Sequence, residues 1–154
     1  MALAGKMIEG IRYPIFISPA LKDVRFVLSG GWHAVESSHV WSGASSSLTL
    51  PVPKDCETGK CSAILKFGVF GASARRPVPV KFTGTGREAK WSHTLRADGD
   101  GGYEVSVPLP AGAPSRQISI EVPNATSPLA LSGSPDDRIL GVSLRQIDLV
   151  TAAE

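Results

Sequence analysis

Charged residues are scarce in this chain, and they are not clustered. They make up 19% of its 154 residues, the formal net charge is +2, and lysine and arginine are scattered along the sequence. A nucleic-acid-binding surface requires basic residues gathered in one patch, so no nucleic-acid partner is expected. Long hydrophobic runs are missing as well. No stretch of about 18 apolar residues occurs, and no membrane span is therefore expected.

The opening residues do not predict a secretory leader. The opening residues, MALAGKMIEGIRYPIF, contain no unbroken apolar segment followed by a small-residue cleavage site. The sequence therefore fits a cytoplasmic protein, a piece of a larger protein, or a protein exported by a non-standard route. It does not choose among the three.

Cysteine and the usual catalytic motifs are equally sparse. Cys56 and Cys61 are the only cysteines, and no further ligands that would complete a zinc site lie near them. A disulfide across a turn at Thr58-Gly59 and a pair of free thiols both fit their spacing. The motifs of serine hydrolases, zinc proteases and phosphate-binding or dinucleotide-binding loops are absent. No catalytic residue, no metal and no cofactor are therefore expected.

Short alternating apolar segments, by contrast, are plentiful and are separated by 16 glycines and 12 prolines. Such segments are typical of strands with one buried face, and no segment has a convincing helical period. The pattern predicts an all-β fold, a two-sheet antiparallel β-sandwich of jelly-roll type. The predicted strands cover residues 24–28, 40–42, 48–52, 63–69, 78–82, 89–96, 103–109, 118–122 and 139–150.

Three of these strands carry more detailed predictions. Ser29-Gly30-Gly31 is expected to end the first strand, and Pro79 is expected to place its strand at a sheet edge or a bulge. Residues 139–150 form the longest strand and are expected to be central. Leu144 and Ile147 in it fall on opposite faces unless one extra residue is inserted, so a β-bulge is predicted near Arg145-Gln146.

The domain organisation is predicted to be simple. Residues 24–154 are expected to form one sandwich domain. Before them, residues 1–23 alternate around Ile15 and Ile17 but contain Pro14 and Pro19. This combination predicts an N-terminal arm or an edge strand.

Residues 30–43, GGWHAVESSHVWSG, concentrate the side chains that suit a binding role. Trp32 follows a glycine turn, so it is expected in a loop with its ring open to the apolar face of a sugar; the alternative is that both tryptophan rings lie in the core. Glu36 would accept hydrogen bonds from sugar hydroxyls, with His33 and His39 beside it. Trp41 lies in a strand-like Val-Trp-Ser and is expected to fill the core.

A second polar segment, Asp136-Asp137-Arg138, precedes the last strand. It is expected at the same end of the sandwich as Glu36, with the guanidinium of Arg138 holding that carboxylate. The alternative is a solvated turn with a local salt bridge. The candidate carbohydrate-binding residues are Trp32, His33, Glu36, His39, Asn124, Asp137 and Arg138.

Two blocks of the sequence together resemble a known family. The first is Gly31-Trp32, Glu36 and Trp41-Ser42, followed by an apolar strand at residues 48–52. The second joins residues 122–128 to residues 136–149. The pair resembles a β-sandwich domain that is appended to bacterial glycosyltransferases and encoded with surface-polysaccharide genes. The resemblance spans roughly residues 24–150 and implies a jelly-roll, carbohydrate-binding module without a catalytic centre, here free-standing and lectin-like.

The sequence thus favours a non-enzymatic module that recognises a glycan or a bacterial surface polysaccharide. An alternative is a structural or assembly domain that forms a homo-oligomer or docks onto a glycosyltransferase. A third hypothesis is a small hydrolase that works through Glu36 and Asp137. It would need the two carboxylates about 5 to 10 Å apart in an open cleft.

Overall fold

A computed structural model of the chain describes residues 13–20, 24–56, 61–85, 91–99, 101–110 and 112–151. The regular structure within them is almost entirely β-strand, with short helical turns and many loops. None of the helices among these residues is long and apolar enough to span a membrane. The strands are β1 (Ile15–Phe16), β2 (Leu28–Trp32), β3 (Val40–Pro51), β4 (Cys61–Val69), β5 (Val78–Thr85), β6 (Ser92–Ala97), β7 (Tyr103–Pro108), β8 (Ser115–Glu121) and β9 (Val142–Thr151), and the helices are α1 (Val24–Val27) and α2 (Pro128–Ser132).

The strands form two antiparallel sheets that share β3. In sheet A the order is β7-β4-β9, and β1 and the first residues of β3 pair with the other edge of β9. In sheet B the order is β6-β5-β8-β3, and β2 also pairs with β3. Most connections from β3 onward cross from one sheet to the other, as in a jelly roll. The predicted fold class is confirmed.

The core lies between the two sheets. Phe67 of sheet A meets Phe82 of sheet B with ring centroids 5.4 Å apart, and both side chains are buried. Along β4, β5, β8 and β9, apolar residues that face this core alternate with residues that face outward. This alternation is the pattern from which the strands were predicted.

The last strand, β9, is central in sheet A and contains the predicted bulge. Gln146 pairs with Lys66, but the next residue of β4, Phe67, pairs with Leu144. Arg145 is therefore the inserted residue, and it is exposed. The insertion lets Leu144 and Ile147 both point into the core, where each is at most 1% exposed. The β-bulge near Arg145-Gln146 is confirmed.

The strand predicted at residues 24–28 is wrong. Val24–Val27 is one helical turn, and β2 begins at Leu28 and continues through the glycines expected to end it. An apolar spacing over so few residues fits a helical turn as well as a strand. Gly31 continues the strand at a register shift, with φ of 80°. A Cβ there would lie 2.1 Å from the carbonyl oxygen of Ser45, so this close approach requires glycine.

The two strands predicted at residues 40–42 and 48–52 are one strand, β3. Its first residues, Val40 and Trp41, pair with β9 in sheet A, whereas residues 45–51 pair with β8 in sheet B. The polar, small-residue sequence between them is extended rather than a loop. β3 therefore links the two sheets by continuous backbone.

Pro79 does not place β5 at an edge, because β5 lies between β6 and β8. Gly84 donates its N–H to Trp91 on the β6 side. Backbone N–H groups point to alternate sides along a strand, so an N–H at position 79 would point toward β8. The pairing of β5 with β8 begins only at Lys81. The proline therefore removes no hydrogen bond from the sheet, and neither an edge nor a bulge is needed.

Residues 13–20 pack as part of the sandwich. β1 pairs with β9, the side chains of Ile15 and Ile17 are each 1% exposed, and the hydroxyl of Tyr13 donates to the carbonyl of Pro51. Residues 1–12 and 21–23 of the predicted arm lie outside the described residues. The division at residue 24 stays a prediction.

The two cysteines are paired. Cys56 ends a short 3-10 turn, Cys61 opens β4, and a disulfide joins them. This is one of the two alternatives that the spacing leaves open. The turn predicted at Thr58-Gly59 lies outside the described part of the chain.

Candidate functional site

The connection between β2 and β3 is a hairpin loop that presents polar side chains at one end of the sandwich. His33 donates its backbone N–H to the carbonyl of Trp41 at 2.9 Å, and Glu36 donates its N–H to the carbonyl of His39 at 2.8 Å. These two bonds close the loop from its base to its tip. The side chains of His33, Glu36 and His39 are half-buried as a result.

The segment before β9 packs against this hairpin. His33 Nε2 lies 2.8 Å from the carbonyl oxygen of Ile139. A carbonyl only accepts hydrogen bonds, so Nε2 carries a proton and Nδ1 is the remaining site of the ring. Arg138 Nη1 lies 3.7 Å from Glu36 Oε2. Arg138 and Glu36 thus lie at the same end of the sandwich as predicted, but at ion-pair distance, and the guanidinium is held by the local salt bridge with Asp136 that was the alternative.

Asp136 holds Arg138 in place, and sequence reasoning missed this role. Its carboxylate accepts the backbone N–H of Arg138 at 3.1 Å and guanidinium N–H groups at distances from 2.7 to 3.2 Å. These hydrogen bonds lower the pKa of Asp136 from 3.8 to about 2, and they raise the pKa of Arg138. A carboxylate that bonds to the backbone two residues ahead is a common turn feature, so the signal was present in the sequence.

Helix α2 fixes the position of Asp136. The side chain of Ser127 caps the helix by accepting the N–H of Ala130, and Gly133 ends it with φ of 77°. Leu129 then donates its N–H to the carbonyl of Asp136 at 2.8 Å. The Ser/Pro-rich connection that precedes β9 is thus an ordered support for the polar cluster.

Glu36 lies between two groups that can carry positive charge. Its Oε2 is 3.7 Å from His39 Nε2 and 3.7 Å from Arg138 Nη1. Both distances suit ion pairing but exceed a hydrogen bond. Within the described part of the chain, this enclosed oxygen has no hydrogen-bond partner. Because Oε2 is enclosed, a ligand can reach Glu36 only through the rest of its side chain, which is 42% exposed overall.

Trp41 does not fill the core. Its neighbours Val40 and Ser42 are buried, so Trp41 takes the alternate, outward position in β3 and is half-buried there. Its ring meets His39 edge to face at 5.7 Å and Phe70 edge to face at 5.8 Å. The assignment of Trp41 to the core is wrong, and Phe70 is a neighbour that no sequence signal indicated.

Trp32 ends a strand instead of lying in a loop. It is half-buried against the core, and its Nε1 donates to the carbonyl of Ser47 at 2.8 Å. Its indole N–H is thus used to hold β2 on β3. A role for Trp32 in sugar binding stays a prediction.

The two remaining candidates, Asp137 and Asn124, are exposed. Asp137 lies beside the cluster, between Asp136 and Arg138 in sequence. The carbonyl of Asn124 accepts from Arg76 Nη2 at 2.6 Å, and Arg76 Nη1 donates to the carbonyl of Gly71 at 3.2 Å. Asn124 is thereby tied to the loop that follows Phe70.

The assembled end of the sandwich offers hydrogen-bonding groups beside an aromatic ring. Among the described residues, no group of histidine, cysteine, aspartate and glutamate side chains has the arrangement of a metal site. Arg138 is oriented by Asp136, the Glu36 side chain is partly exposed beside it, and the ring of Trp41 contacts His39, which lies next to Glu36. This arrangement can bind a neutral polar molecule with an apolar face.

No protein-family model matches the chain, and neither does any curated protein. Solved structures give weak similarities. A structure described as "CBM4 structure and function" is 11% identical, covers 73% of this chain and 69% of its own length, and has a TM-score of 0.42. The CBM22-1 xylan-binding domain from Paenibacillus barcinonensis Xyn10C is 14% identical, with coverages of 75% and 74% and a TM-score of 0.39.

A family GH115 4-O-methyl-alpha-glucuronidase with specificity for decorated arabinogalactans is similar over 92% of this chain but only 16% of its own length. Its identity is 11% and its TM-score is 0.41. Values this low do not assign the chain to any family.

Proposed function

We propose that the protein binds carbohydrate, without catalysing a reaction, at the end of the sandwich formed by the β2–β3 hairpin and the segment before β9. The observation that supports this most strongly is the outward ring of Trp41 in contact with His39, which in turn lies 3.7 Å from Glu36. A sugar ring has an apolar C–H face that packs on an aromatic ring, and hydroxyls at its edge that need donors and acceptors. The site supplies an aromatic ring, a hydrogen-bond donor and a hydrogen-bond acceptor.

The polar groups are arranged before any ligand arrives. Asp136 already fixes the guanidinium of Arg138, so a sugar hydroxyl would meet a donor whose orientation costs little further entropy. Glu36 Oε2 is enclosed between His39 and Arg138, but the side chain as a whole is 42% exposed, and the exposed part of its carboxylate would accept a hydroxyl hydrogen. His39 adds a ring nitrogen on the Trp41 side. The proposal therefore places the sugar edge on Glu36 and Arg138 and its face on Trp41.

The other candidates surround this centre. His33 and Asp137 would form its rim, and Asn124 would reach a longer glycan from the loop beyond Phe70. Trp32 would act at the base of the hairpin, where its N–H already bonds to Ser47. Relative to the sequence-based hypothesis, the aromatic platform moves from Trp32 to Trp41.

A glycan array that includes bacterial surface polysaccharides, followed by calorimetry on the hits, tests the proposal. Trp41→Ala and Glu36→Gln should each weaken binding by about tenfold or more, equivalent to about 1.4 kcal/mol. Both should remain folded, because Trp41 is half-buried and Gln keeps the shape of Glu36. Trp91→Ala is the matched control, since it removes a tryptophan beside the edge strand β6.

Retained affinity in both site variants would place the glycan elsewhere, and a failure of the folded protein to bind any glycan would remove the proposal altogether. The finer proposal is a bacterial surface polysaccharide as ligand, and it requires that such polymers rank above other glycans on the array.

The alternative, an assembly domain, is favoured by one observation. Leu129 and Leu131 of α2 and the neighbouring Ile139 are 49%, 44% and 44% exposed, an apolar set beside the polar cluster. Sedimentation equilibrium separates the two functions. A monomer that binds glycan supports carbohydrate recognition, whereas an oligomer without glycan affinity supports assembly.

A further inference from the structure

The outer face of sheet A presents a row of side chains that the sequence alone did not bring together. Pairing registers align Ile15, Ile147, Leu65 and Val105 across β1, β9, β4 and β7, and all four are buried. The neighbouring row of paired residues, one position along each strand, therefore lies on the outer face of the sheet. It consists of Phe16, Gln146, Lys66 and Glu104.

The bulge in β9 opens a cleft beside this row. Its volume is about 280 Å³, close to the roughly 300 Å³ at which ordinary ligand sites begin. The lining includes Lys66, Tyr103, Glu104, Arg145 and Gln146. Arg145 is the inserted residue of the bulge, so the same irregularity that preserves the core also supplies a cation to the cleft.

Among the described residues, Arg145 is the cation in this cleft that has no ion-pair partner. Lys66 Nζ lies 2.9 Å from Asp148 Oδ2 and 3.9 Å from Glu104 Oε2. The amide of Gln146 donates to Asp148 at 2.6 Å. The guanidinium of Arg145, in contrast, makes no hydrogen bond or ion pair with the residues that the structure describes.

The chemistry of these groups selects one kind of ligand. A guanidinium binds a carboxylate through two parallel hydrogen bonds. Glu104 and Asp148 would repel a densely charged anion but can accept hydrogen bonds from hydroxyls. Phe16, which is 56% exposed at the end of the row, offers an apolar ring. The match is a sugar that carries one carboxylate among several hydroxyls.

The cleft is close to the proposed carbohydrate site. Trp41 pairs with Ser143, and Ser143 pairs with Gly68 of β4. Lys66 lies two residues from Gly68, which corresponds to about 7 Å along a strand. Trp41 and Lys66 are therefore near neighbours on the outer face of sheet A.

We propose that this cleft is an acidic-sugar subsite, in which Arg145 binds the carboxylate of a uronic acid residue of the glycan. The proposal rests on the carbohydrate-binding function proposed above and specifies its ligand class. Lys66 and Gln146 line the cleft with Arg145, and Phe16 is the cross-strand neighbour of Gln146 on β1.

The test compares uronic acid oligosaccharides with their own carboxyl-reduced, neutral forms. Oligomers of galacturonate, mannuronate and glucuronate-substituted xylose are titrated into the full chain by calorimetry. At least one acidic oligomer should bind about tenfold more tightly than its reduced partner. Arg145→Gln should abolish that difference, Arg145→Lys should restore only part of it, and Arg96→Gln on β6 is the matched control.

The outcomes separate this inference from the proposed function. If neutral glycans bind and no acidic oligomer exceeds its reduced form, the subsite is refuted while carbohydrate binding stands. If no glycan of either kind binds the folded chain, both proposals fall. Equal binding of heparin or polyglutamate would show that Arg145 attracts any polyanion, which also overturns the inference.

Discussion

Asp136 determines the electrostatics of the proposed binding end more than any other single residue. It fixes Arg138 through the backbone N–H and the guanidinium, and these bonds lower the pKa of Asp136 from 3.8 to about 2. A carboxylate whose pKa is depressed on folding stabilises the native state above its unfolded pKa. Its contribution is therefore present above about pH 4 and is lost as the pH falls toward 2.

We accordingly expect Asp136→Asn to reduce the loss of stability that the wild type shows between pH 4 and pH 2. Urea unfolding across this range measures the effect. Asp137→Asn is the matched control, because Arg138 bonds to Asp136 and not to the exposed neighbour. Identical pH profiles for the wild type and Asp136→Asn would contradict the role assigned to this carboxylate.

The site was predictable from the sequence only in part, because its geometry depends on register. The polarity of Glu36 and Arg138, and their places before two strands, indicated that they would meet. The orientation of Trp41 was not accessible, because Val40 and Trp41 are both apolar and either one can face inward. Pairing of β3 with β9 decides between them.

At the scale of elements, β1 shows how a two-residue strand can contribute to the core. The buried side chains of Ile15 and Ile17 flank the exposed side chain of Phe16. Strand alternation thus gives β1 a sharp division between a packed face and a solvent face. Residues 13–20 consequently contribute to stability as well as covering an edge of β9.

This division predicts unequal costs for two neighbouring substitutions. Ile15→Ala should lower the free energy of unfolding by about 2 to 5 kcal/mol, as a truncation in a packed core does. Phe16→Ala, on the same strand, should change it by no more than about 0.5 kcal/mol. Urea melts of the two variants measure both values, and equal costs would show that β1 is not packed as described.

Two other elements show what local sequence can and cannot predict. The bulge in β9 was predictable, because Leu144 and Ile147 are both strongly apolar and only an inserted residue lets both be buried. The continuity of β3 was not, because its small and polar middle has low strand propensity and is held extended by pairing with β8 and β2. Tertiary pairing overrides propensity there.

At the scale of the whole molecule, the two sheets cannot separate without breaking β3. Its first residues belong to sheet A and the remainder to sheet B. The facing rings of Phe67 and Phe82 add a contact between the sheets. The described sandwich should therefore unfold as one cooperative unit, although it contains two sheets.

Two core truncations, one in each sheet, test this coupling. Leu144 of β9 is 1% exposed and Ile118 of β8 is 0% exposed. Leu144→Ala and Ile118→Ala should each lower the free energy of unfolding by about 2 to 5 kcal/mol. Far-UV circular dichroism and tryptophan fluorescence should report the same shifted midpoint in each variant, with an unchanged dependence on urea. If either variant instead unfolds in two steps, or if the two probes give different midpoints, then the sheets are separate folding units and the continuity of β3 does not couple them.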